Sequence, residues 1–221
     1  MTGIRDDGFH LIDAEMVSLD FHDTLEISAG SGLEVVGPAG QESVGSDDDN
    51  LVTRALRLCG REAHVRLGKR IPAGAGLGGG SSDAAAVLRW AGYDDVVGAA
   101  SIGADVAFCL RGGRARVTGI GEIIEPLPYA EQTFTLLTPP VMCSTPAVYA
   151  AWDRLGGPTG DHGNDLEPAA LDVAPELARW RDELAEASGK RPRLAGSGST
   201  WFVEGAFPGE GRVVTTTVPE Q

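Results

Sequence analysis

The chain has 221 residues, of which 18 are Lys or Arg and 32 are Asp or Glu, so its formal net charge is −14 at pH 7. This acidic balance, without any cluster of basic residues, argues against a nucleic acid as partner. The longest apolar runs, such as Val106 to Leu110, are far shorter than the roughly 18 residues of a membrane helix, and the acidic N-terminal region is unlike a signal peptide. We therefore expect a globular cytoplasmic protein that associates with neither nucleic acid nor membrane.

The cysteines and histidines indicate no metal site. Cys59, Cys109 and Cys143 are odd in number and widely spaced, and each lies in or beside an apolar stretch. They are predicted to be small buried hydrophobic residues. There is no CxxC pair, and the four histidines are scattered, which is typical of surface or core histidines.

The N-terminal part of the chain combines extended stretches with a polar loop. Apolar patterning predicts strands over 11–19 and 24–27, with Asp23 at the turn between them. Residues 30–50 are rich in Gly, Ser and Asp. Their acidic run Asp47-Asp48-Asp49 predicts a solvated loop that ends at a helix cap, Asn50.

A helix, a strand and a glycine block follow. Apolar residues at helical spacing predict a helix over 51–59 that ends at Gly60. Alternation predicts a strand over 64–71 that stops at Pro72, which cannot donate to a strand ladder. The block over 74–88 then runs from clustered glycines directly into an alanine-rich helix.

Helices and strands continue to mix beyond this block. Helices are predicted over 96–100, 146–155, 166–171 and 175–187, and strands over 114–118, 122–127, 134–138, 193–194, 200–204 and 213–218. Asp105 is set among apolar neighbours. A domain boundary is predicted near 128–131, and the mixture predicts an α+β protein.

The glycine block has the composition of a phosphate-binding loop. Glycines let backbone N–H groups approach a ligand without a side chain in the way. The helix that follows opens with Ser-Ser-Asp and offers unpaired N–H groups and a positive dipole end to an anion.

Three further types of glycine-rich segment fit the block less well. Gly74, Gly76 and Gly79 match the dinucleotide pattern G-x-G-x-x-G, but no strand ending in an acidic residue follows at the expected distance. A P-loop requires Gly-Lys-Ser/Thr, and Lys69 and Lys190 both lie outside the block. A flexible linker would not be followed at once by an alanine helix.

The block from Pro72 to Ala85 resembles the nucleotide loop of the GHMP small-molecule kinases, with the pattern P-x-x-x-G-L-G-S/G-S/G-S and then small residues. Its triple glycine and double serine are most similar to the branch that phosphorylates 4-diphosphocytidyl-2-C-methyl-D-erythritol. Further motifs of that branch occur in order at residues 2–10 (T-G-x-R-x-D-G-Y-H), 49–51 (D-N-L), 102–106 (G-A-D-V), 119–122 (G-x-G-E), 164–167 (N-D-L/C-E) and 194–199 (S/T-G-S/T-G). Ala107 stands where the family has proline.

The resemblance implies the two-domain GHMP kinase fold. A ribosomal S5-like nucleotide-binding domain is expected over 1–130, and a ferredoxin-like domain over 131–221. The implied activity is that of a phosphotransferase with an alcohol acceptor. It would use ATP and Mg²⁺ to phosphorylate the 2-hydroxyl of the cytidine diphosphate-linked methylerythritol, a step of non-mevalonate isoprenoid (terpenoid) biosynthesis.

The resemblance also assigns roles to individual residues. Asp105 is expected to accept the proton of the substrate hydroxyl, and Ser81 or Ser82 to contact magnesium. The nucleotide-binding residues are expected to be Pro72, Ala73, Gly74, Ala75, Gly76, Leu77, Gly78, Gly79, Gly80, Ser81 and Ser82, with Asn50 and Leu51 on the adenine side. The expected substrate-binding residues are Phe9 and Tyr149, which stack on cytosine, His10, which contacts the edge of the base, and the turn Gly196, Ser197 and Gly198.

The chain also departs from the family pattern. The family opens with a strand P-A-K-x-N-L whose lysine lies beside the catalytic aspartate, whereas this sequence begins at Met1-Thr2-Gly3, past that strand. We expect a natural start further upstream, since loss of such a group costs roughly 10²- to 10³-fold in rate. The stretches 90–101 and 205–211 are shorter than usual. A homodimer is an open possibility, because a missing strand exposes unpaired backbone groups.

Two alternatives remain. The first keeps the fold and changes the substrate to another small alcohol, against which Phe9 and His10 argue. The second is a nucleotide-binding protein with little catalytic activity, because the family's lysine is missing. An in-frame Pro-Ala-Lys-x-Asn encoded upstream of Met1 would argue against this alternative.

Overall fold

The computed structural model describes residues 1–39 and 49–220, and these form two compact units. The first unit comprises Met1–Pro72, Gly78–Ala130 and Thr217–Gln221; the second comprises Ala73–Leu77 and Glu131–Thr216. The short segment Ala73–Leu77, part of the glycine block, thus groups with the C-terminal half of the chain. The expected acidic loop residues 47 and 48 lie outside the described residues.

The described residues of the first unit form two sheets and four helices. Its strands are β1 (Gly3–Ile4), β2 (His10–Val17), β3 (Thr24–Ser28), β4 (Gly32–Val36), β5 (His64–Gly68), β6 (Arg114–Gly119) and β7 (Ile123–Pro126). Its helices are α1 (Leu51–Leu58), α2 (Gly79–Trp90), α3 (Val96–Ala100) and α4 (Ala104–Arg111). One sheet has the order β1-β2-β6-β7 with antiparallel neighbours; the other has the order β3-β5-β4.

The core of the first unit lies between the β3-β5-β4 sheet and its helices. β5 alternates, so that Val65 and Leu67 point inward and are completely buried. They belong to one cluster with Ala84 and Ala85 of α2 and Val106 of α4. Alanine on α2 lets neighbouring elements approach closely, which brings the first turns of the helices near one another.

The second unit is a four-stranded antiparallel sheet with three helices. Its strands are β8 (Thr133–Leu137), β9 (Arg193–Leu194), β10 (Trp201–Glu204) and β11 (Arg212–Thr216), in the order β11-β8-β10-β9. Its helices are α5 (Thr145–Arg154), α6 (Glu167–Val173) and α7 (Leu177–Ser188). Trp201 is completely buried, and its indole N–H donates to the carbonyl oxygen of Leu177 at 3.1 Å.

The mixture of helices and sheets confirms the predicted α+β class. The prediction of a loop throughout 30–50 was wrong for residues 32–36, which form β4 and pair in parallel with β5. Leu33 and Val35 pack against the core of the first unit, and this burial outweighs the turn-forming composition around them. β1 was also missed, because two residues are too few to show a pattern.

The three cysteines are free. Cys143 is buried as predicted, whereas Cys59 and Cys109 are only half-buried. Among the described residues, none of the helices has both the length and the apolar character needed to cross a membrane.

Candidate active site

Residues 73–77 of the glycine block lie against the turn at 195–200 of the second unit. The carbonyl oxygen of Gly74 accepts a hydrogen bond from the N–H of Ser199, and that of Ala75 accepts one from Thr200, both at 3.1 Å. The structure therefore brings together two glycine-rich segments that lie far apart in the sequence.

Gly76 is the tightest point of this contact. Its φ is +74°, in the left-handed region that glycine favours. A Cβ on Gly76 would overlap the carbonyl oxygen of Ala195 and lie 2.7 Å from that of Gly198. Only glycine fits here, so the backbone of the loop passes the second glycine turn without an intervening side chain.

Asn164 holds the second glycine turn. Its Nδ2 donates hydrogen bonds to the carbonyl oxygens of Leu194 (2.8 Å) and Gly196 (2.7 Å). Ser197 is buried, and its hydroxyl shares a 2.9 Å hydrogen bond with the hydroxyl of Thr145. These contacts fix the shape of the turn. A direct contact of Ser197 with substrate remains a prediction.

In the first unit, α2 begins without a side-chain cap. Its N-cap residue, Gly78, has a left-handed φ of 63°, and no described side chain accepts a hydrogen bond from the first turn. Gly80 is exposed in that turn. An open first turn of small residues presents backbone N–H groups and the positive end of the helix dipole, which favours a bound phosphate.

The structure separates the two candidate metal-contacting serines. The hydroxyl of Ser82 donates a 2.8 Å hydrogen bond to the carbonyl oxygen of Gly79 in the same helix. The hydroxyl of Ser81 has no hydrogen-bond partner among the described residues, and the residue is half-buried. Of the two, Ser81 has the hydroxyl free for a ligand.

Leu51 marks the place where the first turns of three helices meet. It opens α1, whose cap is confirmed, because the side chain of Asn50 accepts from the N–H of Val52 at 2.8 Å. A Cβ on Gly80 or on Gly103 would lie 3.7 Å from a methyl group of Leu51. The start of α2 and the start of α4 therefore both adjoin Leu51.

Asp105 lies in the first turn of α4. By its accessible surface Asp105 is an exposed residue, yet enough protein atoms surround the carboxyl group that desolvation raises the pKa of Asp105 above its ordinary value. The turn at Gly121 packs beside it, since a Cβ on Gly121 would lie 3.0 Å from the Cβ of Ala104. A raised pKa strengthens a carboxylate as a proton acceptor.

The predicted cytosine contacts are on both units. Phe9, in the first unit, is 56% exposed, and the guanidinium of Arg5 lies 5.5 Å from its ring centre. His10 follows as the first residue of β2. Tyr149 is a half-buried residue of α5, in the second unit.

One cluster escaped the sequence analysis. The ammonium group of Lys69 lies 2.5 Å from the Oδ2 atom of Asp23 and 2.9 Å from the Oδ2 atom of Asp83. From the sequence, Lys69 was used only to exclude a P-loop, and Asp23 was predicted to lie in a turn between two strands. No local signal could have joined them, because the partners of Lys69 are 46 and 14 residues away in sequence.

Metal-binding groups are sparse in this region. Among residues 1–39 and 49–220, no three His, Cys, Asp or Glu side chains are grouped so that they could hold a metal ion.

Comparison with known proteins gives consistent matches. The family model for the GHMP kinases N terminal domain matches residues 50–113. The 4-diphosphocytidyl-2-C-methyl-D-erythritol kinase of Paracoccus denitrificans is 38% identical over 222 residues, which cover 91% of this chain and 81% of that protein. The enzyme of the same name from Cereibacter sphaeroides (strain ATCC 17029) is 38% identical over 240 residues, covering 95% and 85%.

Solved structures give the same picture. A crystal structure of 4-(cytidine 5'-diphospho)-2C-methyl-D-erythritol kinase superposes with a TM-score of 0.71 at 30% identity, covering 97% of this chain and 93% of that one. Homoserine kinase from Cytophaga hutchinsonii has a TM-score of 0.58 at 16% identity, covering 93% and 89%, and shares the fold.

Proposed function

The chain belongs to the 4-diphosphocytidyl-2-C-methyl-D-erythritol kinases within the GHMP kinase family, and we propose that it transfers the γ-phosphoryl group of ATP to the 2-hydroxyl of 4-diphosphocytidyl-2-C-methyl-D-erythritol. One observation carries the mechanism: the open start of α2 and the start of α4, with Asp105, both adjoin Leu51. A phosphate-binding helix end and a proton-accepting carboxylate are thereby neighbours.

The glycine block binds and orients the triphosphate in this mechanism. The open N–H groups at the start of α2 would bind the phosphates, while Gly76 lets the loop pack directly on the second glycine turn. Phosphoryl transfer depends mainly on positioning and charge stabilisation, so a rigid backbone cradle is the principal requirement.

Asp105 acts as the base. Its carboxylate takes the proton of the 2-hydroxyl as the oxygen attacks the γ-phosphorus, and the bond to the bridging oxygen breaks to release ADP. Its raised pKa favours proton uptake.

Magnesium belongs to the proposal as well. The free hydroxyl of Ser81 is an oxygen ligand of the type that Mg²⁺ prefers. When bound, the ion would neutralise charge on the phosphate oxygens.

Phe9 supports a cytidine substrate. An exposed aromatic ring with an arginine over one face leaves the other face for a base, and stacking of this kind contributes about 1–3 kcal/mol per base. His10 and Tyr149 complete the proposed cytidine contacts, and the turn Gly196, Ser197 and Gly198 the phosphate contacts.

Cytoplasmic location is part of the proposal, and the three free cysteines support it. The homodimer stays an open possibility, which light scattering would test.

The test measures ADP release with Mg²⁺, ATP and each candidate alcohol: the cytidine-linked methylerythritol, mevalonate and homoserine. Thermal protection by CDP provides a readout that does not depend on turnover. We expect activity with the cytidine-linked alcohol alone, and loss of CDP protection in Phe9→Ala. Trp90→Ala, which removes another exposed aromatic residue of the first unit, is the control. Turnover of homoserine or mevalonate in place of the cytidine-linked alcohol would refute the assignment.

A further inference from the structure

A buried ion cluster, formed by Lys69, Asp23 and Asp83, lies in the first unit beside the two ends of loop 72–78, the part of the glycine block that precedes α2. The side chains of the three residues are 5%, 1% and 3% exposed. The ammonium of Lys69 donates to both carboxylates, at 2.5 Å to Asp23 and 2.9 Å to Asp83. The proposed phosphoryl-transfer mechanism uses none of these groups.

Asp23 fixes the chain just before the block. Its second oxygen, Oδ1, accepts the backbone N–H of Arg70 at 2.5 Å and that of Ile71 at 2.9 Å. Those two residues immediately precede Pro72. The Asp23 carboxylate thus accepts three hydrogen bonds, from the Lys69 ammonium and from the two backbone amides. These bonds fix the backbone at 70–71, although β5 has already ended at Gly68.

Asp83 fixes the chain just after loop 72–78. It lies in α2, which begins at Gly79. A Cβ on Gly79 would lie 2.8 Å from the Cγ2 of Ile71 and 3.4 Å from the ammonium nitrogen of Lys69, so the first turn of α2 is in direct contact with residues 69–71. Lys69 thus links the two ends of loop 72–78 through one charged group.

Burying these three charged groups costs free energy that apolar side chains of similar size would not cost. One ammonium against two carboxylates leaves a net negative charge inside the protein, and burial raises the pKa of Asp83 to about 6 despite its contact with Lys69. A buried ion pair is often replaceable by apolar residues without loss of stability. Charged hydrogen bonds are directional, so they fix the relative positions of the groups they join, which apolar contacts do not.

We infer that Lys69, Asp23 and Asp83 are positioning residues that close the base of the glycine block and so set the affinity for the nucleotide, without contacting the phosphates. The inference rests on the proposed function only in that the block binds ATP. The class of the acceptor alcohol does not enter it.

The experiment measures binding of a magnesium complex of a non-hydrolysable ATP analogue by calorimetry, together with kcat and KM for ATP. Lys69→Met and Asp83→Leu remove the link. We expect the dissociation constant to rise by about 10- to 100-fold and kcat at saturating ATP to fall as well, because the same backbone loop both binds the nucleotide and positions its γ-phosphoryl group. Asp83→Asn keeps a hydrogen-bond acceptor for Lys69 and is expected to retain most of the affinity.

Lys190→Met, at the other lysine of the chain, is the matched control, since Lys190 is exposed in the second unit. Where a single variant fails to fold, the double variant Lys69→Met/Asp83→Leu removes both charges together and leaves Asp23 with its two N–H donors. It too is expected to bind the analogue at least about tenfold more weakly, because the link between the two ends of the loop is again lost.

Hydrogen exchange on the wild-type protein gives a second measurement. The amides of Arg70 and Ile71 are expected to exchange as slowly as those of β5. Unchanged analogue affinity in the folded variants, a loss confined to kcat, or rapid exchange at 70–71 would each overturn the inference. If the cytidine-linked alcohol proved not to be the substrate, the binding results would be unaffected, so the two failures are distinguishable.

Discussion

Arg89, near the end of α2, donates a 2.6 Å hydrogen bond from its guanidinium to the carbonyl oxygen of Cys109, near the end of α4. A second, longer bond reaches the carbonyl oxygen of Leu110 at 3.4 Å. A cation at a helix C-terminus satisfies carbonyl groups that have no partner within the helix. The two helices are therefore joined at their ends by Arg89, while their first turns adjoin Leu51.

Arg89→Met is expected to lower the free energy of unfolding by about 1.5–3 kcal/mol, because charged hydrogen bonds to partly buried carbonyls are lost. Urea denaturation measures the change. Arg111→Met, at an exposed arginine in the last turn of α4, is the matched control and should change the free energy by less than about 0.5 kcal/mol. Equal effects in both variants would show that the Arg89 contact contributes nothing specific.

Asp105→Asn is expected to bind the ATP analogue normally and to lose about 10²- to 10⁴-fold in kcat, the usual contribution of a general base. The pKa of Asp105 is raised, so the activity of the wild-type enzyme should fall, as the pH decreases, at a higher pH than an ordinary aspartate would give. Initial rates of ADP release across pH check both points. Asp94→Asn, at an exposed aspartate of the same unit, is the control; retained turnover in Asp105→Asn would reject Asp105 as the base.

Gly76→Ala and Gly78→Ala form a matched pair. Both glycines have left-handed φ values, +74° and +63°, and alanine in that conformation costs about 1–2 kcal/mol. Only at 76 would the new Cβ also overlap a backbone carbonyl; around 78 there is open space. We expect Gly76→Ala to show the larger drop in Tm and a loss of nucleotide binding. A Gly78→Ala variant that was equally damaged would contradict the proposed close contact.

Ser81→Ala and Ser82→Ala should separate metal contact from helix geometry. We expect Ser81→Ala to raise the magnesium concentration for half-maximal activity about tenfold, with little change in stability. Ser82→Ala removes the bond to Gly79 and should cost about 0.5–1.5 kcal/mol of stability while leaving the magnesium dependence near wild type. The opposite pattern would assign the metal contact to Ser82.

Asp83→Asn tests the electrostatics of the buried cluster. Burial raises the pKa of Asp83 from 3.8 to about 6, and Asp23 raises it further while Lys69 opposes the shift. The folded state therefore binds the proton more tightly than the unfolded chain, and this contribution to stability is lost as pH rises through about 6.

Asparagine does not titrate. Relative to wild type, the free energy of unfolding of Asp83→Asn should thus increase by about 1–3 kcal/mol between pH 4 and pH 7. Denaturation of both proteins across that range measures the difference; a difference independent of pH would show that Asp83 does not titrate there.

Local patterns predicted most helices and strands well. The helix over 96–100 was predicted within its observed bounds, and Asn50 caps α1 as expected, because a cap and helical spacing are both local in sequence. β4 could not be predicted in this way. Its burial depends on parallel pairing with β5, which begins at His64, and the glycines and serines around 32–36 favour a turn when considered alone.

The candidate site was predictable where its motif is continuous. The glycine block and Asp105 are visible in the sequence, but the sequence offered no choice between Ser81 and Ser82, since only the hydrogen bond to Gly79 distinguishes them. The cluster around Lys69 was invisible for a related reason. An isolated lysine becomes informative only when the fold encloses it between two carboxylates.

The polypeptide passes between its two units four times, at 72/73, 77/78, 130/131 and 216/217. A gene fragment encoding 131–216 alone would leave the amides of Ser199 and Thr200 without their acceptors in residues 74 and 75. Neither unit of this enzyme is therefore encoded by one continuous segment that could be moved to another protein. Shuffling or splitting it in an engineering experiment would require the pentapeptide 73–77 to accompany the C-terminal part.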